Sequence, residues 1–140
     1  MKRFILFAIS ALLLASCSVD DSDNLYVNYE LVPVDSVVIP DTLDFGQTYD
    51  FEVTYERPTD CHFFEGFDYN QGVNERIIGV VNSVVINGDT ECLELEDELV
   101  TQTLPFEVIR EDYYIFKFWQ GVDEEGEYIY LTKEVPVRTE

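Results

Sequence analysis

The sequence predicts an all-β fold, an antiparallel β-sandwich of about seven to eight strands, on the strength of three observations. Apolar and polar residues alternate over residues 48–55, with the period of two that a half-buried strand shows. Residues 111–120 are apolar on both faces, as expected of a strand at the centre of a sheet. Beyond residue 16, no apolar stripe of useful length follows the 3.6-residue period of a helix. Short strands separated by frequent turn residues are typical of a sandwich.

The remaining strands are expected on both sides of these segments. Pro33 divides the first apolar stretch, because proline cannot donate a hydrogen bond to a strand ladder, so an interrupted first strand is predicted. Residues 121–126 have the composition of a turn and predict a terminal hairpin, with Pro136 near its end. The other predicted strands are residues 26–31, 36–39, 61–67, 76–81, 84–86 (followed by the turn signal Asn87-Gly88), 93–95, 103–109 and 128–137.

The first residues have the pattern of a lipoprotein signal peptide. A basic start, Met1-Lys2-Arg3, precedes an apolar run at residues 4–14 that is far shorter than the roughly 20 residues of a membrane-spanning helix. The run closes with Leu14-Ala15-Ser16-Cys17, which resembles the lipobox of bacterial lipoproteins. The resemblance implies cleavage before Cys17 and a diacylglyceryl group on its thiol. An ordinary secretory signal and an uncleaved anchor are the alternatives.

The residues after Cys17 concern the destination. Ser18 stands where an inner-membrane retention signal would place aspartate, and residues 18–23 resemble the acidic export signal of surface lipoproteins in Bacteroidota-type bacteria. The expected location is therefore the outer membrane, lipid-anchored and surface-exposed, with a periplasm-facing anchor as the alternative. The predicted divisions are a signal peptide at 1–16, a lipidated cysteine and acidic tether at 17–25, and one β-sandwich domain at 26–140.

The charge balance excludes some partners. The full chain carries 29 acidic and 8 basic residues, for a net charge of −21. Loss of Lys2 and Arg3 with the leader leaves about −23. Such a charge argues against nucleic acid and against adsorption to anionic lipid, so membrane association is expected through the lipid on Cys17 alone. A basic or cation-bridged partner remains compatible, and so does an acidic surface that serves only solubility.

Several separate segments carry a family resemblance: residues 58–64, 75–80, Cys92, 116–121 and 134–137. Together they resemble a family of uncharacterised Bacteroidota-type surface lipoproteins with a single immunoglobulin-like domain. That resemblance covers nearly the whole chain after the leader and implies an immunoglobulin-like sandwich without catalytic residues. Tyr114, two residues before an inward-facing Phe116, also resembles the tyrosine corner of such folds. Phe116 stands where an antibody domain has its second cysteine, which excludes an antibody-type bridge there.

Two cysteines remain once Cys17 is lipidated. Cys61 and Cys92 form an even pair in an oxidising compartment, which favours a disulfide. A nucleophilic Cys61 beside His62 is the alternative, but adjacent strand residues point to opposite faces, so a nucleophile and its base are rarely neighbours there. His62, the only histidine, is expected to be a surface or hydrogen-bonded residue, with a metal ligand or a general base as the alternatives.

The acidic residues suggest surfaces rather than catalysis. A glycosidase needs two carboxylates at a controlled separation, and the abundance of acids here singles out no pair. The cluster at residues 91–98 and the turn carboxylates are possible calcium ligands or solvated faces, and no metal site or cofactor is assigned because no phosphate loop or complete EF-hand pattern occurs. Asp123, Glu124, Glu125 and Glu127 at the hairpin tip are the candidate partner contact.

The predicted function is therefore a non-enzymatic interaction or structural module of the cell envelope, anchored by lipid. Its partner is an envelope protein or glycan, and its oligomeric state is open. The alternative is a glycan or small-ligand binder of the cell surface, with the aromatic segment 62–70 as the contact unless its rings pack in the core. Two tripeptides, at residues 35–37 and 41–43, also match a loose O-glycosylation pattern of exported Bacteroidota-type proteins.

Overall fold

A computed structural model describes residues 25–88 and 91–140, and all regular secondary structure within those ranges is β-strand. The signal peptide, Cys17 and the acidic tether lie outside the described residues. Within the described part, no helix is long and apolar enough to cross a membrane. The nine strands are β1 (Leu25–Val32), β2 (Val34–Val38), β3 (Leu43–Asp44), β4 (Thr48–Glu56), β5 (His62–Gln71), β6 (Glu75–Asn87), β7 (Leu99–Glu107), β8 (Tyr113–Val122) and β9 (Tyr128–Arg138).

The strands form two sheets, which confirms an all-β sandwich. The large sheet has six strands, five of them in the order β1-β6-β8-β9-β3. Strands β1 and β8 share one edge of β6, and the sixth strand, β5, pairs with the opposite edge. The small sheet has the order β2-β4-β7. Two pairings are parallel, β6 with β8 and β3 with β9, so the expectation of an antiparallel sandwich is wrong for these pairs. Alternation within a strand determines which face is buried but carries no information on the direction of its neighbour.

The core lies between the two sheets and is rich in aromatic rings. Phe51 and Phe106 of the small sheet face Phe116 of the large sheet, and the ring centroids are 5.0–5.2 Å apart with edge-to-face geometry across the sheets. All three side chains are buried, as are the β-branched residues around them. Such aromatic pairs add roughly 0.5–1.5 kcal/mol each beyond the area they bury. The inward position predicted for Phe116 is confirmed.

Some boundaries differ from the sequence prediction. The break at Pro33 is confirmed, since β1 ends at Val32 and β2 begins at Val34 in the other sheet. Residues 76–81 and 84–86 are not two strands but parts of the continuous strand β6. The strand predicted at residues 93–95 is wrong, because that loop makes only an isolated bridge between Glu94 and Thr59. The two-residue β3 was too short for any periodic signal.

Candidate functional site

The cysteine pair is a disulfide that holds two loops together. Cys61 and Cys92 are bonded, with their Cα atoms 5.6 Å apart, which confirms the predicted pairing. Around the bond, the Asp60 carboxylate accepts the N–H of Leu93 at 2.8 Å, and the Leu95 N–H donates to the Pro58 carbonyl at 3.0 Å. The loop after β6 is therefore fixed on the loop before β5. Because both sulfur atoms are bonded, Cys61 is not a nucleophile here.

His62 is a buried histidine whose two ring nitrogens both have partners. Its Nδ1 lies 2.7 Å from the Thr59 hydroxyl, and its Nε2 contacts the Glu30 carboxylate of β1. The order Thr59–His62–Glu30 resembles a nucleophile, base and orienting acid. However, the Thr59 hydroxyl also accepts the Cys61 N–H at 3.2 Å, and the ring of His62 is only 5% exposed. These contacts hold β1 to the disulfide-bonded loop. His62 is therefore placed as a hydrogen-bonded structural residue.

The hairpin tip does bring the predicted acidic residues together at an exposed turn between β8 and β9. Asp123 differs from the other three, because its carboxylate accepts the N–H groups of Glu125 and Glu127, each at 2.9 Å. Gly126 has a φ of +84°, which favours glycine, and it donates to the Asp123 carbonyl. Asp123 is thus part of the turn itself, whereas Glu124, Glu125 and Glu127 are free to meet solvent or a partner.

The acidic loop at residues 91–98 is tied into the fold by its neighbours. The Asp97 N–H donates to the Glu56 carboxylate at 3.1 Å, and Glu98 lies 3.6 Å from the guanidinium of Arg57. Among the described residues, the one group of three possible ligands combines Asp60 with the two bonded cysteines, whose sulfurs are already used. Neither acidic cluster therefore brings three carboxylates close enough to share an ion in the described part of the chain.

The aromatic segment of β5 is divided between the core and the surface. Phe64 packs against Tyr55 and Phe67, so the core-packing interpretation holds for these rings. Phe63, next in the chain to Phe64, faces outward and is half exposed, and Tyr69 is also exposed. A bulge between Phe64 and Gly66 shifts the alternation, which places Phe67 on the inner face. Only isolated rings of this segment therefore remain for a ligand.

A cleft of about 940 Å³, lined by residues from the segments 44–49 and 138–140 and by Glu111, was not predicted from sequence. At its base, the Asp44 carboxylate accepts the Tyr49 hydroxyl at 3.1 Å and the Nε of Arg138 at 2.6 Å. Phe45 is nearly half exposed beside them. The parallel pairing of β3 with β9 brings Asp44 and Arg138 together over 94 positions of sequence. The remaining lining residues are Gln47, Glu111, Thr139 and Glu140.

A bidentate ion pair shapes the electrostatics beside this cleft. Arg110 donates from Nε and Nη2 to the two carboxylate oxygens of Asp112, at 2.8 and 2.6 Å. These hydrogen bonds hold the pKa of Asp112 below its usual range. Glu111, which lies between them in the chain, lines the cleft, and among the described residues it forms no ion pair.

The exposure of β1 at the edge of the sheet is the second feature that was not predicted from sequence. Seven of its eight residues are exposed, and β6 is the one strand that pairs with it in the described part of the chain. Leu25, Val27, Tyr29 and Leu31 share the outer face, with exposed fractions from 40% to 65%, and Tyr26 is exposed on the other face. One signal in the sequence could have indicated this apolar strand: Leu25–Val32 contains a single charged residue, although the chain has 29 acidic residues.

Comparison with known protein families, with curated proteins and with solved structures finds no match for this chain.

Proposed function

We propose that this protein is a lipid-anchored, non-enzymatic interaction module displayed on the outer membrane of the bacterial cell. The observation that carries the proposal is β1, an edge strand that pairs only with β6 in the described part of the chain. It is exposed on both faces and nearly free of charge. The outward N–H and C=O groups of an edge strand are a template for another strand, and apolar side chains beside them supply contact area. Exposed apolar patches on an otherwise acidic surface are typical of interaction sites.

The leader supports the membrane part of the proposal. Leu14-Ala15-Ser16-Cys17 has the order that the lipoprotein peptidase requires, and two or more acyl chains anchor a protein stably. The seven residues between Cys17 and Leu25 reach at most about 25 Å when extended. Strand β1 would therefore lie close to the membrane, in reach of other envelope components.

We assign the sandwich to the immunoglobulin-like type within the same proposal. Support comes from Tyr114, whose hydroxyl accepts the N–H groups of Ile109 and Arg110 at 2.9 and 3.0 Å, as the tyrosine of a tyrosine corner does. The side chain of Tyr114 is fully buried. The parallel pairing of β6 with β8 departs from the antiparallel sheets of that fold.

Lipidation is tested by replacing the cysteine that would carry it. Cys17→Ala should abolish labelling with a fatty-acid analogue and leave the uncleaved chain in the cell, because the thiol accepts the diacylglyceryl group before the peptidase acts. The control is Ser16→Ala, which keeps a small residue before the cysteine and should be labelled normally. Labelling of the Cys17→Ala chain at the level of the parent chain would contradict the anchor.

A second candidate function, glycan or small-ligand binding, is favoured by the cleft at Asp44 and Arg138. An exposed phenyl ring beside carboxylates and a guanidinium is suited to a sugar, which stacks one face on the ring and hydrogen-bonds through its hydroxyls. Binding of the protein to a glycan array, and loss of that binding in Phe45→Ala but not in Phe63→Ala, would establish this function. An array without a hit that depends on Phe45 would exclude it.

A further inference from the structure

We infer that β1 pairs with β1 of a second copy of this chain, so that two large sheets join edge to edge in a two-fold symmetric dimer. The inference deepens the proposed function, since it names the partner of the same strand. It rests on three properties of β1. In the described part of the chain its outer edge has no partner and none of the features that hinder pairing at the other edges. The carboxylate of its single charged residue, Glu30, is hydrogen-bonded to His62. Its position after the tether permits two anchored copies to meet.

The other open edges of the described strands carry features that hinder pairing. Strand β3 is only two residues long, and the part of β9 that β3 leaves unpaired contains Lys133, Glu134 and Pro136. Strand β2 has a bulge between Val34 and Ser36, and β5 has one between Phe64 and Gly66. Strand β7 contains Pro105, which has no N–H to donate. Bulges, prolines and charges on edges are the means by which β-proteins avoid edge-to-edge association. Strand β1 pairs with β6 in unbroken register over all eight residues and has no proline within it.

The charge of the strand points to a second copy of this same chain. With a net charge near −23 for the chain after the leader, most surfaces of two copies repel each other. Glu30 is the single charge of β1, and its carboxylate is held by His62 on the inner face. The outer face of β1 offers only Leu25, Val27, Tyr29 and Leu31. Two copies can therefore approach along β1 with apolar contact and without opposed carboxylates on that face.

Symmetry makes the two anchors compatible with this contact. Antiparallel pairing of two identical strands places a two-fold axis perpendicular to the joined sheet, so twelve strands would form one continuous sheet. The two Leu25 residues would be roughly 25 Å apart at about 3.4 Å per residue. A tether of seven residues on each copy is long enough for both lipids to enter one membrane. Confinement to that membrane raises the effective concentration of each copy for the other.

The test is a cysteine scan of β1 in the full chain, expressed and oxidised in its own membranes. One residue at a time from Leu25 to Leu31 is replaced by cysteine, and disulfide-linked dimers are measured on non-reducing gels. In a two-fold symmetric pair, only the residue at the axis lies directly opposite the same residue of the second copy. The two Cα atoms are then about 4.5–5.5 Å apart, which is within disulfide range. The inference predicts dimer formation with one sharp maximum along the strand. Equal cross-linking at every position, or a maximum no higher than that of the exposed control Tyr128→Cys, would overturn it.

A second measurement separates this inference from the proposed function. Two differently tagged copies should co-isolate in mild detergent, and Val27→Glu with Tyr29→Glu should reduce the recovered partner copy at least tenfold, because each charge faces its symmetry mate or a near neighbour. The matched control is Val73→Glu together with Tyr128→Glu, at two exposed sites away from β1. If the cysteines of β1 link to a different envelope protein instead, the dimer is wrong and the proposed interaction function stands. If β1 links to nothing, both fail.

Discussion

At the residue scale, two buried polar side chains hold the ends of strands in place. Tyr114 lies in the aromatic core with its ring 4.9 Å from that of Phe106, while its hydroxyl receives two backbone N–H groups from the loop before β8. Both ring nitrogens of His62, beside the disulfide, have a hydrogen-bond partner. In each case a ring is buried and its polar atoms form hydrogen bonds with groups that would otherwise be buried without partners.

The hydroxyl of Tyr114 provides a prediction at this scale. Tyr114→Phe keeps the ring but leaves the N–H groups of Ile109 and Arg110 without their acceptor, and such a loss costs about 1–3 kcal/mol. We expect a lower midpoint of denaturant unfolding with an unchanged slope. Tyr128→Phe, at an exposed position, is the control and should have no effect. Unfolding of Tyr114→Phe at the midpoint of the parent chain would show that these hydrogen bonds contribute nothing.

At the element scale, β6 is the strand on which the large sheet depends. One edge pairs with β5, and the other is shared by β8 along Glu75–Ile78 and by β1 along Val80–Asn87. Gly79 lies where the second edge changes partner, and a Cβ there would be 2.8 Å from a methyl carbon of Leu31. Glycine therefore permits Leu31 to pack over the point where the partner of β6 changes from β1 to β8. Among the described residues, β1 pairs with β6 alone, which leaves its other edge open.

The disulfide acts at the same scale, because the segment it closes contains both β5 and β6. Replacing Cys61 and Cys92 together by serine should lower the free energy of unfolding by up to about 3.7 kcal/mol, from the loop entropy of the unfolded chain. The measurement is denaturant unfolding of the oxidised parent and of the double variant. The parent chain in reductant is the control and should match the double variant. A double variant as stable as the oxidised parent would contradict the constraint.

At the scale of the whole molecule, the distribution of charge distinguishes the surfaces. The full chain has a net charge of −21, and in its described part acids lie in loops, on β4 and β5 and at the β8–β9 tip, while the core and β1 are nearly free of them. Repulsion between copies therefore discourages random association and leaves few orientations in which two copies can meet. The same charge makes the contact of any basic partner with the tip dependent on salt.

The tip gives a prediction at this scale, because its four acids have different roles. Replacing Glu124, Glu125 and Glu127 by glutamine should leave the thermal midpoint nearly unchanged and weaken capture of an envelope partner that binds the tip. Asp123→Ala should lower the midpoint, because the turn loses the acceptor of two N–H groups. Capture that is unchanged in the triple variant would show that the tip is not the contact. An unchanged midpoint in Asp123→Ala would contradict its structural role.

What the sequence determined by itself is what depends on neighbours along the chain. Alternation over residues 48–55 predicts β4, Pro33 divides β1 from β2, and the run before Gly121 predicts the long central strand β8. The pairing of Cys61 with Cys92 followed from their being the two cysteines that come after Cys17 in the sequence, and the inward Phe116 followed from the period of its strand. These features are local because side-chain direction and backbone hydrogen-bonding capacity are fixed residue by residue.

Only the tertiary structure decided which strands are neighbours, and both candidate surfaces follow from that choice. The parallel pairing of β3 with β9 brings Asp44 to Arg138 and forms the cleft, although neither segment carries a signal for the other. Within residues 25–88 and 91–140, β1 pairs with β6 alone, so an apolar strand lies at an edge, whereas the same residues at the centre of a sheet would be buried. The physical reason is that a period of two records how a strand divides its faces, while its edges are filled or left open by segments far away in the chain.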